Sequence, residues 1–290
     1  WHGLDRDECI VEVPMDKSLQ LTTDAIIQAI ESVGEELALV HMSAVHYLTG
    51  QYFDVEAITA AAHRVGAIAG WDLAHAIGNV PLQLHRWNAD YAVWCSYKYL
   101  NSSPGGVGGA FVHERHACDR DMVRLAGWWG NDPVTRFAMP QWFEPVPRAD
   151  SWQLSNAPVL ALAVHRVALE HFARAGIERL RAKSIRLTGF LEEVLDELAS
   201  AYPELGITIV TPRSAEARGA QLSVQFADGR GVQQHLLAHG VVADWREPNI
   251  VRLAPAPLYT SFSDVVRLGY AIELFGKSFA GVKNALDTAR

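Results

Sequence analysis

The stretch Gly66-Ala67-Ile68-Ala69-Gly70-Trp71-Asp72-Leu73-Ala74-His75, with Asp90-Tyr91-Ala92-Val93-Trp94-Cys95-Ser96-Tyr97-Lys98 after it, decides the fold. Each is a short, nearly continuous apolar run that stops in polar residues. Runs of that length, apolar on both faces, suit the strands of a covered parallel sheet. Upstream, Leu37 to Met42 reads as another such strand and Val55 to Val65 as a helix between strands, so the pattern is βαβ. Asp24 to Ser32 reads as a helix stopped near Gly34, and Gly109 to His113 as a further strand. This part of the chain should contribute about five strands to one sheet.

A second, smaller α/β unit is predicted downstream. Asn156-Ala157-Pro158 opens an amphipathic helix through Val159, Leu160, Leu162, Ala163 and Val167 to Ala175, with Gly176 as the break and a second helix from Ile177 to Ala199. Strands follow at Ile207 to Val210, Ala220 to Phe226 and Asn249 to Ala254, and helices at Gly231 to His239 and Ser263 to Phe275. The division falls into residues 1–175 and 176–290, without an internal repeat or a flexible linker.

Composition narrows the function classes. With 290 residues, 49% hydrophobic and 20% charged, the chain can bury a substantial core. A net charge of -8 with mixed signs leaves no basic stripe for nucleic acid. Cys9, Cys95 and Cys118 lack the spacing of a disulfide framework or a zinc site, which points to a reducing compartment and to no metal. Apolar runs stay well short of the roughly 18 residues of a membrane span, and the start, Trp1-His2-Gly3-Leu4-Asp5, does not have the build of a secretory signal, so a cytoplasmic location is expected. The chain opens on Trp1 and enters a strand-like run, Cys9 to Val13, as a piece of a longer protein would.

Ligands of parallel sheets bind beyond the carboxyl ends of the strands. Three strands end there in Ser43, in Asp72 with His75, and in Tyr97-Lys98. A lysine in a turn is ordinarily solvated and an aspartate at a strand end ordinarily caps a turn. As a pair they suit pyridoxal phosphate, whose aldehyde needs a Schiff-base lysine and whose ring nitrogen needs a carboxylate to hold its proton. The Asn101-Ser102-Ser103-Pro104-Gly105-Gly106 loop after Lys98 permits close approach to a ligand.

Longer motifs carry a resemblance. Gly70 through Val80, Trp94 through Asn101, Tyr47-Leu48-Thr49-Gly50-Gln51, Gly127-Trp128-Trp129-Gly130, Thr135-Arg136-Phe137, Leu154-Ser155-Asn156 and Val251 through Tyr259 together resemble the kynureninase family over essentially the whole chain. The resemblance implies an α/β protein of pyridoxal phosphate-dependent transferase fold type I, with part of a mostly parallel large domain and a smaller C-terminal α/β domain. It implies a homodimer with active sites shared between subunits, and hydrolysis of L-kynurenine or 3-hydroxykynurenine to anthranilate or 3-hydroxyanthranilate and L-alanine, in tryptophan degradation and NAD biosynthesis.

Roles carry over position by position. Lys98 would anchor the cofactor, Asp72 would pair with its ring nitrogen, and Ser43 and His75 would line it. Tyr97 would contact the phosphate and aid proton transfer. Trp128 and Asn156 match positions near cofactor or substrate, and Arg252 the arginine that clamps the substrate carboxylate. Family members also carry, upstream of the part matched here, a phosphate-binding turn and an aromatic residue that stacks on the cofactor. Plainer readings stand beside these: Trp128 next to Trp129 as packing, Asn156 as a helix cap, and Arg252 as the partner of an internal acid such as Asp244. A class V aminotransferase would share the same anchors, and a catalytically silent dimerisation module is the rival of another class. A cysteine desulfurase fits less well, because Cys95 and Cys118 lie too near Lys98 to be the reactive cysteine of a mobile loop.

Overall fold

The computed structural model describes residues 3–288, with side chains described up to residue 278. The decisive stretches form strands as read. β1 (Leu39–Ser43), β2 (Ile68–Asp72) and β3 (Tyr91–Cys95) lie side by side and parallel, and β4 (Gly108–Val112) closes the edge antiparallel to β3. This first sheet has four strands among the described residues, one fewer than expected.

The missing strand is the run Cys9 to Val13. Asp5 caps a single turn there, α1 (Arg6–Cys9), by accepting from the Asp7 N–H, and Ile10 N–H closes onto the Arg6 carbonyl. Ile10 and Val11 stay exposed and pair with no strand.

Helices α2 (Thr23–Val33) and α3 (Val55–Arg64) cover one face of the sheet. Each is started by a side-chain cap, Thr22 on the Ala25 N–H and Asp54 on the Ala57 N–H. Ile26, Ile30, Ile58 and Ala61 pack on Val40, Ala69, Trp71 and Ala92, and the Trp71 indole donates to Thr59 Oγ1 at 3.1 Å. Alternation then turns Leu39, Ile68 and Val93 to the other face, where they are exposed. Beyond β4 come a short α4 (Glu114–Ala117) and a loop-rich segment of single turns.

The amphipathic stretch is helical as read, α5 (Val159–Ala175), and Gly176 at φ 77° breaks it before α6 (Ile177–Ala201). Asn156 is not its cap. Pro158 takes that position and, having no side-chain oxygen to accept from the first N–H groups, leaves the helix without a side-chain cap. Among the described residues the apolar side chains of α5 find little cover: Val159, Leu160 and Val167 are exposed, and Ala168 is the one buried residue of the helix.

The second sheet is wholly antiparallel, in the order β5 (Thr208–Ile209), β6 (Leu222–Gln225), β8 (Ile250–Leu253), β7 (Asp244–Arg246). Together with α6, α7 (Gly229–Ala238) and α8 (Phe262–Thr288) it encloses its own core of Leu187, Leu191, Leu195, Leu222, Phe226, Leu236, Val251 and Ile272. No described helix is long and apolar enough to cross a membrane.

Candidate active site

Parallel pairing with the register Ser43 to Asp72 brings the ends of β1 and β2 level, and β3 delivers Lys98 to the same rim one turn later. The chain beyond β1 then crosses to the second sheet. Residues 47–49 present their carbonyls to it in succession: Gln221 Nε2 donates to Tyr47 O at 3.2 Å and Leu48 O at 3.3 Å, the Ser223 hydroxyl donates to Leu48 O, and Thr211 Oγ1 donates to Thr49 O at 2.5 Å. Gln221, Ser223 and Thr211 are buried, so these bonds are shielded from water. Asn79 adds a bond from the other side, its Oδ1 accepting from the Ala220 N–H at 2.9 Å. Gly50 sits at φ 71°, and a Cβ there would meet the Gln221 carbonyl oxygen at 2.8 Å, so the close approach requires glycine.

Between the two sheets this seam leaves a cavity of about 240 Å³ lined by His75, Lys98, Tyr99, Gln221, Asp244, Arg252 and Tyr259. Three of the residues singled out in the sequence, His75, Lys98 and Arg252, therefore meet in one place. Among the described residues no carboxylate pairs with Lys98, whose Nζ lies 5.9 Å over the Tyr97 ring. Asp72 Oδ1 accepts from the Ala74 N–H at 2.7 Å, and its other oxygen takes no bond from a described residue. Two buried hydroxyls flanking the lysine turn, Ser96 Oγ and Ser102 Oγ, also lack partners.

Charge in the cavity is predominantly positive. Burial, with the cations of Lys98 and Arg252 added, lowers His75 from 6.5 to about 4, and the Asp72 carboxylate opposes this only in part. His75 is thus a neutral imidazole at neutral pH. Burial likewise raises the Tyr99 phenol, which stays protonated.

Arg252 has a place in the cavity and an internal partner as well. It lines the cavity, and it also pairs with Asp244, which faces it across β7 and β8. Its Nη1 donates to Tyr47 O at 2.7 Å. The remaining candidates lie apart from the cavity lining. Ser43 ends β1 half-buried, Tyr97 is half exposed, Trp128 sits in a surface turn with its indole donating to Arg136 O at 3.2 Å, and Asn156 is exposed. Gln221 and Tyr99 belong to the site and went unremarked in the sequence; a glutamine in the apolar run from Ala220 to Phe226 was the available signal.

A family model described as the kynureninase C-terminal domain matches residues 180–272. Curated kynureninases match over far more: that of Myxococcus xanthus is 50% identical over 94% of this chain and 64% of its own length. That of Flavobacterium johnsoniae is 46% identical over the same shares, and that of Stenotrophomonas maltophilia 48% identical over 91% and 63%. Over the length it spans, the chain is similar throughout to these kynureninases, and residues 180–272 match the kynureninase C-terminal domain. The chain spans just under two thirds of these relatives' length.

Solved structures agree on architecture. A cysteine desulfurase from Thermococcus onnurineus NA1 superposes with a TM-score of 0.73 at 16% identity, covering 92% of this chain and 66% of that one. The cystine C-S lyase C-DES, in a form with glycine covalently linked to its PLP cofactor, gives 0.68 at 19% identity, covering 86% and 64%. At that identity the likeness shows the fold, which is the α/β fold type I of these enzymes.

Proposed function

We propose that the protein containing this chain is a pyridoxal phosphate-dependent kynureninase, hydrolysing L-kynurenine or its 3-hydroxy form to the anthranilate and L-alanine. The observation that carries the reading is the meeting of Lys98, His75 and Arg252 in one cavity beside Asp72, in a chain 50% identical to a curated kynureninase. The donor set suits the cofactor. An amine free of ion pairs, a carboxylate with one oxygen uncommitted and unpartnered hydroxyls at Ser96 and Ser102 are what an aldehyde, a ring nitrogen and polar ring substituents would engage.

When bound, the cofactor would supply an electron sink for bonds broken at the substrate amino acid. Lys98 Nζ would hold the cofactor covalently and, once displaced by the substrate amine, carry the proton from substrate Cα. Asp72 would keep the proton on the ring nitrogen. Neutral His75 would line the ring without adding a third positive charge. Arg252 would bind the substrate carboxylate through its planar fork. Water would add to the γ-carbonyl and the Cβ–Cγ bond would break, releasing the anthranilate; a proton delivered to Cβ and the return of a proton to Cα by Lys98 would then complete alanine. Ser43, Tyr97, Trp128 and Asn156 are proposed as contributors from outside the cavity lining, with the exposed Trp128 acting across a homodimer. The same reading divides the chain into a large-domain portion, residues 1–175, and a small domain, residues 176–290, and places the protein in the cytoplasm.

The test is product analysis on the full-length protein supplied with pyridoxal phosphate. L-Kynurenine should give anthranilate and L-alanine without a keto-acid acceptor. Turnover that depends on a keto acid would make the protein an aminotransferase instead.

A further inference from the structure

Arg252 is held from two sides. Across the β7–β8 ladder, Asp244 Oδ2 accepts from Nε at 2.5 Å and stands in ion-pair contact with Nη2, and from the segment beyond β1 Tyr47 O accepts from Nη1 at 2.7 Å. A guanidinium carries about five N–H donors, so these contacts leave at least about one on each terminal nitrogen. That remaining pair is what a carboxylate takes side by side. The Asp244 carboxylate does not close the site, because the same Oδ2 is shared with Arg246 Nε at 3.1 Å and the residue stands half exposed on an edge strand. Arg252 itself is only 12% exposed.

We propose that Asp244 is a positioning residue for substrate recognition: it fixes the Arg252 guanidinium so that its free terminal N–H pair meets an amino-acid carboxylate. Tyr47 O supplies the second fixed point, and because Tyr47 follows directly from β1, the guanidinium is registered to the sheet that carries Asp72 and Lys98. Asp244 touches no reacting atom; it acts through Arg252. The role rests on the carboxylate-binding reading of Arg252 given above.

The experiment is calorimetric binding of L-alanine and L-alaninamide to the full-length holoprotein, wild type and Asp244→Asn, with thermal melting on the same preparations. Wild type should prefer L-alanine. Asp244→Asn should weaken L-alanine by about ten-fold, the loss of one hydrogen bond to a charged group, and leave L-alaninamide unchanged. KM for L-kynurenine should rise while kcat stays within about two-fold. Asp244→Glu, which keeps the charge, should lie between the two and serves as the second variant should Asp244→Asn fold poorly. Unchanged or tighter L-alanine binding overturns the proposal, tighter binding making Asp244 a competitor for the guanidinium. Equal weakening of both ligands, or a lower Tm alone, assigns Asp244 to structure and also overturns it. A wild type indifferent between L-alanine and L-alaninamide defeats the reading of Arg252 itself, and is seen before any variant is made.

Discussion

Asp90 and Asp72 lie at opposite ends of the same sheet and live in opposite surroundings. Asp90 stands at the amino end of β3, 3% exposed, and accepts from the Ala69 N–H at 2.7 Å, His63 Nε2 at 2.8 Å, His116 Nε2 at 2.6 Å and Arg115 Nε at 3.0 Å. Burial alone would raise its pKa, but the Ala69 N–H and the three side chains together hold it far below the usual carboxylate range. Asp72 stands at the carboxyl end of β2 with one bond to its own turn. One end of the sheet spends its polar groups on each other, and the other leaves them free for a ligand. A buried polar cluster that is fully satisfied stabilises; one left open has an energetic reason to bind something.

That contrast is open to attack by substitution, and the largest effect is expected at the open end. Lys98→Ala should lower turnover of L-kynurenine by on the order of 10,000-fold, the upper range for loss of a positioned proton carrier, and should abolish reducible attachment of pyridoxal phosphate. Apoprotein Tm should barely move, since Lys98 has no ion pair to lose. A lysine variant that melts early while its activity survives would reverse the assignment of the two ends.

At the closed end, Asp90→Ala takes the shared carboxylate from His63, His116 and the exposed Arg115 and leaves the Ala69 N–H without its buried acceptor. Hydrogen bonds to a charged group contribute about 1.5 to 3 kcal/mol, or roughly 3 to 12 °C in Tm for a protein of this size. The surviving folded enzyme should keep its KM. A normal melt for Asp90→Ala would show that the cluster contributes nothing net.

Next is Asp72→Asn, which preserves shape and the Ala74 bond acceptor but removes the charge. A charge-assisted hydrogen bond contributes about 1.5 to 3 kcal/mol, so kcat should fall about ten- to hundred-fold with Tm unchanged. Wild-type kcat in this variant removes Asp72 from the site.

How far this contrast was legible in the sequence depended on the length of the pattern. β2 and β3 are apolar runs with polar ends, so both the strands and the rim residues Asp72, His75 and Lys98 could be read from local order. β7 could not: Asp244-Trp245-Arg246 is too short and polar to show period two, and it exists because β8 offers it a ladder. The run Cys9 to Val13 had strand composition and no neighbour to pair with. α5 had helical periodicity, but periodicity says nothing of whether its apolar residues are covered. Asp90 was read only as the start of a strand, since His63, Arg115 and His116 reach it from separate elements. The Tyr47 carbonyl was invisible for the same reason, and Gln221 showed only as a polar residue in an apolar run, as both act across the seam between sheets.

The mildest test separates the two ends by pH in apoprotein melts. His75 has its folded pKa lowered to about 4 from 6.5, so between those values the unfolded chain binds a proton that the folded one refuses. Stability is then lost as pH falls through that window. Asp90 has its folded pKa depressed below 3.8, so its contribution is present above that value and lost as pH falls further toward the folded pKa. Wild type should therefore lose Tm on acidification in two successive stages, the rim first and the foot of the sheet second. His75→Gln should shrink the upper stage by about 1 kcal/mol for a half-buried imidazole, leaving the part due to His46, His113 and His235, which burial also lowers, and leave the lower stage unchanged. Asp90→Asn should do the reverse, from a lower starting Tm. A wild-type Tm that is flat from pH 6.5 to 4 would mean that His75 is protonated as readily in the folded state as in the unfolded one, and the burial and the neighbouring cations that keep it neutral would have to be given up.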